Sequence, residues 1–279
     1  RALGARGYQV ALLDARREFG GRVVLESALP GLIEWRRVID WRLTQIETMN
    51  NVSLYPGSPM SAEDILEAGY DHVILATGSQ WRDDGIGRNQ WEAIKGYDLP
   101  HVFTPDDLMA GKTPNGHVLI YDDDHYYMGG VLAELLLQQG CQVTFVTPAP
   151  LVAYWSQFTL EQEKIQRRLM NSDVKIFTQQ ILKEIQSGKI MLASSISGQA
   201  SEVNADAIIL VTDRLPNDEL YQALKPALKN SDLQSLRLIG DAEAPNIIAQ
   251  AVFSGHLAAQ EFGETSISDT PFKIERAKI

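Results

Sequence analysis

The residues of this chain that could do chemistry sit where apolar runs give way to turns. Asp14 closes the run Tyr8-Gln9-Val10-Ala11-Leu12-Leu13. A carboxylate at the end of a buried strand can accept hydrogen bonds from both hydroxyls of a ribose; the simpler reading is a solvated strand-end acid. Arg16 is placed to lie over a purine, or is a surface charge. Gly20 and Gly21 lack Cβ atoms, so the backbone there can approach a flat ring or a pyrophosphate. Arg22 beside them can meet a phosphate. Thr77 and Gly78 end a second apolar run, His72-Val73-Ile74-Leu75-Ala76, and Gly240 and Asp241 end a third, Leu236-Arg237-Leu238-Ile239. A helix follows Asp241, and its N-terminus can favour an anion.

The elements that must position these groups alternate between strand and helix. Arg1 to Gly7 reads as the end of a helix. Tyr8 to Asp14 then reads as the second strand of a dinucleotide-binding βαβ unit. The strand and G-x-G-x-x-G turn that would complete the unit do not precede it, so the chain is expected to be part of a longer protein. Alone it is expected to bind FAD or ADP weakly or not at all, and to be inactive. A helix is read over about 33–49, a short strand at Val52 to Tyr55, and a helix start capped by Ser61 with Asp64 at its third position. Residues 80–105 read as a crossover. Strands follow at His117 to Tyr121, Gln142 to Thr147, Val174 to Phe177, Ile190 to Ala193 and Ala207 to Val211. Helices are read at Val131 to Gln139, Glu161 to Met170 and about 246–262.

Alternating strands and helices predict an α/β fold with parallel sheets. The order predicts two Rossmann-like domains with parallel central sheets, the second inserted in the first. The expected boundaries are 1–105 and 205–279 for a domain resembling those that bind FAD or ADP, and 106–204 for a degenerate relative of an NAD(P)-binding domain.

The degeneracy is read from Asp122-Asp123-Asp124, which follow the strand His117 to Tyr121 where a working site would carry glycines. Two like charges at ~4 Å repel by about 4 kcal/mol at an effective dielectric near 20. Three carboxylates facing a pyrophosphate would therefore reject it, and Tyr126, Tyr127 and Met128 add bulk. Read as a metal cluster, adjacent acids on one tight turn rarely converge on an ion. No metal site and no catalytic residue is expected within the chain.

Composition narrows the role further. The chain has 279 residues, 44% of them hydrophobic and 22% charged, and a net charge of −11. That charge disfavours nucleic-acid or anionic-membrane surfaces. The single cysteine, Cys141, excludes an internal disulfide and a multi-cysteine cluster within this chain; it reads as a buried apolar residue. No apolar run approaches the ~20 residues of a membrane span, and the expected location is cytoplasmic.

Several segments are more particular. The strand ending Leu13-Asp14, then Phe19-Gly20-Gly21, Ile74-Leu75-Ala76-Thr77-Gly78 and Gly240-Asp241-Ala242 resemble the two-dinucleotide-domain flavoproteins. Gly21 to Gln45, with Leu29-Pro30-Gly31 and Glu34-Trp35-Arg36, and Tyr121 to Gly130 resemble the C-terminal part of trimethylamine dehydrogenase and its relatives, histamine dehydrogenase and 2,4-dienoyl-CoA reductase. The resemblance implies FAD or ADP in this portion. It implies FMN and a 4Fe-4S cluster upstream, oxidation of a small amine, an electron-transferring flavoprotein as partner, and a homodimer in the full-length protein. It places the adenine edge near Ser58 to Met60, with Met60 as a binding residue. It also sets Thr77-Gly78 beside the pyrophosphate and Asp241 near ribityl hydroxyls or the pyrophosphate edge. Two alternatives stay open: a portion of an NAD(P)H-dependent 2,4-dienoyl-CoA reductase-like enzyme, and a non-enzymatic scaffold that no longer binds nucleotide.

Overall fold

A computed structural model describes residues 1–263; residues 264–279 of the expected first domain lie outside the described residues. The chain divides into two compact units. Unit 1 comprises Arg1–Leu25, Glu34–Ser79 and Pro216–Ile279, and unit 2 comprises Glu26–Ile33 and Gln80–Leu215.

Unit 2 is built on a five-stranded parallel sheet. Its order is Val102–Phe103, Ala207–Val211, His117–Asp122, Gln142–Val146, Val174–Phe177. The two central strands are near-continuous apolar runs, as strands covered on both faces must be. Every residue of Ala207–Val211 is buried, as is Val118 to Asp122. Leu119, Ile120, Ile208 and Ile209 are fully enclosed, each contributing about 1.5–3 kcal/mol of apolar burial. The helix Met128–Gln138 packs against the strands His117–Asp122 and Gln142–Val146. Gly129 permits the approach, since a Cβ there would stand 2.9 Å from Asp122 Cγ.

The other cover is not helical. Gln180–Gln186, Lys189–Ser194 and Ala200–Asn204 form a three-stranded antiparallel sheet. Leu182, Ile185, Ile190 and Leu192 from it join Leu119, Tyr121, Ile208 and Leu210 in one core. The sequence reading places a strand at Ile190 to Ala193 but misses its two partners. Gln180–Gln186 and Ala200–Asn204 carry polar residues on the solvent side, and that hides their alternation.

Unit 1 corrects the fold expectation. Two Rossmann-like domains with parallel central sheets, one inserted in the other, are not what the structure holds. Unit 2 has its five-stranded sheet; unit 1 has two separate pairs. Val10–Asp14 pairs in parallel with Val52–Pro56, and His72–Leu75 pairs in parallel with Ser235–Leu238. Among the described residues, no strand hydrogen-bonds these ladders into one sheet. The physical consequence is visible in burial. Val10–Asp14 contains no buried residue, and Leu12 stays 38% exposed, whereas the central strands of unit 2 are enclosed.

Local signals decide the remaining elements. The expected helix over 33–49 begins as a 3-10 turn, Ile33–Arg36, and becomes the α-helix Arg37–Glu47. The helix Ala62–Glu67 starts with a capping box in which the Ser61 hydroxyl accepts from the Asp64 amide and the Asp64 carboxylate accepts from the Ser61 amide. Two orphan donors are satisfied together. No helix among the described residues is long and apolar enough to cross a membrane.

Candidate functional site

Unit 1 gathers the predicted residues into three small groups. In the first, Arg22 Nη2 lies 3.2 Å from Asp241 Oδ2, with both side chains largely enclosed. Asp241 Oδ2 also accepts from Ser79 Oγ at 3.2 Å, and Oδ1 accepts from the Asn246 amide at 3.1 Å. Asp241 sits in the 3-10 turn Gly240–Ala242, before the helix Ile248–Glu261. The Gly240 amide donates to Ser254 Oγ at 3.0 Å, and that hydroxyl donates to Glu243 Oε2 at 3.3 Å. A cavity of about 250 Å³ opens here, lined by Arg237, Gly240, Glu243, Asn246, Gln250 and Ser254 among others.

The second group is Asp14 with Arg16. The Arg16 amide donates to Asp14 Oδ1 at 2.9 Å. The Ser58 amide donates to the Asp14 carbonyl at 2.8 Å, and the Gly57 amide to the Arg16 carbonyl at 2.7 Å. The acid is thus fixed on a doubly tied turn, and its residue is half-buried. Met60 does not join this group; it packs against the apolar cluster of Ile65, Leu75 and Leu224.

The third group is Thr77-Gly78 with Asn217. Asn217 Nδ2 donates to the Thr77 carbonyl at 3.2 Å, and the Asn217 amide donates to the Gly78 carbonyl at 2.9 Å. The Thr77 hydroxyl donates to the Asn217 carbonyl.

Gly20 and Gly21 divide in purpose. Gly20 has φ +120°, and a Cβ there would stand 2.3 Å from Ile39 Cδ1. It is a packing glycine that lets the turn lie on the helix Arg37–Glu47. Gly21 has φ +56°, and a Cβ there would meet nothing within 4 Å. Its backbone faces open space, the condition for close approach of a ligand. Asp14 stands in one group and Arg22 with Asp241 in another.

The acidic turn of unit 2 differs from its expected form. Asp122, Asp123 and Asp124 are buried with His125 and bind the protein's own groups. Asp123 accepts from the Asn89 amide at 2.8 Å and from Asn89 Nδ2 at 2.6 Å. His125 Nε2 lies 3.2 Å from Asp123 Oδ1, and its Nδ1 lies 3.4 Å from Thr147 Oγ1. The His125 amide donates to Asp122 Oδ1 at 3.1 Å. Asp122 Oδ2 has no partner. Burial lifts the Asp122 carboxyl to about 6. Burial also raises the Tyr121 hydroxyl, and Asp213 likewise. Arg88 reaches the Asp124 carbonyl at 3.2 Å and lies 4.2 Å over the Trp155 ring. Asn89, Arg88, Thr147 and Trp155 escape a sequence reading because no spacing links them to the turn. No group of three or more His, Cys, Asp or Glu among the described residues could hold a metal ion. Cys141 is buried, as expected.

Comparison with known proteins follows this geometry. Residues 103–208 match the OYE-like second alpha/beta domain. Dimethylamine dehydrogenase of Hyphomicrobium sp. (strain x) is 34% identical over 307 aligned residues, spanning 99% of this chain and 41% of that protein. Histamine dehydrogenase from Rhizobium sp. 4-9 superposes with a TM-score of 0.92 at 38% identity, covering 100% of this chain and 44% of that one. 6-Hydroxypseudooxynicotine amine oxidase from Pseudomonas geniculata N1 superposes at 0.91 and 42% identity, covering 94% of this chain and 40% of that one. The chain therefore spans about two-fifths of the length of these relatives. It is homologous to dimethylamine and histamine dehydrogenases and to OYE-like flavoenzymes, which are oxidoreductases.

Proposed function

We propose that this chain is the nucleotide-holding portion of a flavin-dependent oxidoreductase that dehydrogenates a small amine. The observation that carries the reading is the 34% identity to dimethylamine dehydrogenase across 99% of the chain. In this reading unit 1 holds the adenosine diphosphate moiety of FAD, or ADP itself. Asp14 accepts from ribose hydroxyls, Arg16 lies on the adenine, and the backbone at Gly21 and Thr77-Gly78 passes the pyrophosphate. Arg22 offers a cation to a phosphate and is held in place by Asp241. FAD, when bound, supplies a redox-active flavin; ADP supplies none and only orders the unit.

The FMN, the 4Fe-4S cluster and the amine pocket lie on other parts of the protein in this reading. One cysteine in the whole chain cannot supply a cluster that takes four thiolates. Electrons leave to an electron-transferring flavoprotein. Unit 2 does not accept NAD(P)H, because Asn89 and His125 occupy the carboxyl ends of its parallel strands, where such sheets take ligands.

Two measurements test this. ADP titrated into the chain should bind at least about tenfold more weakly after Asp14→Ala, the scale of a lost charge-assisted hydrogen bond. Equal affinity in both forms sinks the assignment of unit 1. A protein carrying this chain, purified with its flavin, should reduce an acceptor dye with small secondary or tertiary amines. Turnover with NADH and none with amines sinks the activity.

A further inference from the structure

We propose that Asn115 is a self-modification site, whose side-chain amide is displaced by the Gly116 nitrogen to leave aspartate or isoaspartate just before the strand His117–Asp122. Asn115-Gly116 is the only Asn–Gly pair in the chain. Attack on an asparagine side chain by the next backbone nitrogen closes a five-membered ring. A Cβ on that next residue crowds the approach, and glycine has none. The pair supplies the reactive groups; the fold decides whether they can meet.

The fold leaves both reacting groups free. Asn115 and Gly116 are exposed, on an irregular stretch ahead of the strand. Among the described residues, nothing accepts a hydrogen bond from the Gly116 amide, and the Asn115 side chain has no partner. Their neighbours are pinned instead. The Cys141 thiol donates to the Pro114 carbonyl at 3.3 Å, and the Gln142 amide donates to the Gly116 carbonyl at 3.0 Å. Gly116 has φ +79°, and a Cβ there would collide with the Asp206 carboxylate. The packing thus demands the residue that makes Asn115 reactive.

A second pair in the same unit shows the opposite arrangement. Asp84-Gly85 could close the same ring by losing water. The Asp84 carboxylate accepts from Arg82 Nε at 2.9 Å, from Arg82 Nη2, and from the Ile86 amide at 3.0 Å. The Arg82 guanidinium holds that carboxyl below the usual range, and an ionised carboxylate is a poor electrophile. The Asp84 carbonyl also accepts from the Ile94 amide at 2.9 Å. Asp84 is tied at the groups that Asn115 leaves loose.

The step balances without a redox partner. The Gly116 nitrogen gives up its proton and bonds to Asn115 Cγ; the Cγ–Nδ2 bond breaks and ammonia leaves. Water then opens the ring at either carbonyl. One opening gives aspartate. The other gives isoaspartate, which routes the main chain through the former side-chain carbon and lengthens it by one atom. That atom falls between the pinned carbonyls of Pro114 and Gly116. Either product adds a negative charge to a chain already at −11.

The full chain, incubated folded in mildly alkaline buffer and in parallel in denaturant, tests the site by peptide mass mapping. Electron-transfer fragmentation tells isoaspartate from aspartate. Folded, Asn115 should convert at least about tenfold faster than any other asparagine, a barrier lower by about 1.4 kcal/mol. Its folded rate should lie within about threefold of its unfolded rate, as for a segment with almost no opening cost. Asp84 should isomerise at least about tenfold more slowly folded than unfolded. Asn115→Ser should abolish the acidic species that isoelectric focusing detects. Three results overturn the proposal: Asn115 intact in the folded chain, an acidic species undiminished in Asn115→Ser, or Asp84 converting as fast as Asn115.

Discussion

Arg22 and Asp241 meet at 3.2 Å inside unit 1 and tie the glycine turn after the first strand to the Gly-Asp turn near the chain's end. The pair is mostly enclosed. Arg22→Ala should lower the stability of the chain by about 1–3 kcal/mol, because an enclosed ion pair is lost while Asp241 keeps only its bonds to neutral groups such as Ser79 and the Asn246 amide. Arg22→Lys should recover part of that loss. Thermal unfolding of the two variants checks it; equal midpoints for Arg22→Ala and the native chain would show that the pair is incidental.

The two adjacent glycines should respond differently to one methyl group. Gly20→Ala drives a Cβ into Ile39 and forces a left-handed backbone, and it should cost about 2 kcal/mol or more. Gly21→Ala meets no protein atom and should cost about 1 kcal/mol, the left-handed penalty alone. If Gly21 faces a ligand, its variant should nonetheless weaken ADP by about tenfold. A Gly21→Ala chain that binds ADP as the native one does removes that backbone from the site.

Stability should depend on pH through Asp122. Its folded carboxyl lies at about 6, above the ordinary 3.8, so the folded state holds the proton more tightly than the unfolded one. The contribution is therefore full below about pH 4 and is lost as pH rises through 6. A shift of this size is worth about 3 kcal/mol. Asp122→Asn keeps the shape and an acceptor for the His125 amide, so it should raise stability above pH 6 by an amount of that order and change little at pH 4. Denaturant unfolding at the two pH values measures this, and a variant less stable at pH 8 contradicts it.

NADH should bind no better than millimolar. Asp123 and His125 are bonded to Asn89 and Thr147 at the end of the unit 2 sheet, and a dinucleotide would have to break those bonds. Calorimetric titration reaching micromolar affinity would contradict the reading of that turn as closed.

Much of unit 2 was legible in the sequence because its strands are apolar throughout. Ala207–Val211 and Gln142–Val146 announce themselves by composition. Asp14, Arg22 and Asp241 were legible as turn residues after strands, but their division into separate groups was not, since it depends on pairings far apart in the chain. The two ladders of unit 1 were misread as one sheet because a strand's apolar pattern does not name its neighbour. Met60, expected at a ligand, packs in part against Ile65 and Leu75. The Asp122–Asp124 run reads in the sequence as carboxylates facing a pyrophosphate, and only the placement of Asn89 and His125, which no spacing links to it, shows Asp123 buried against the protein's own groups.

The most direct test of the account follows backbone amide resonances of the chain while ADP is added. The account predicts shifts concentrated at Asp14, Arg16, Gly21, Arg22, Thr77, Gly78, Gly240 and Asp241, with the amides of Asp122 to His125 unmoved. Shifts centred on the Asp122–His125 turn would contradict it.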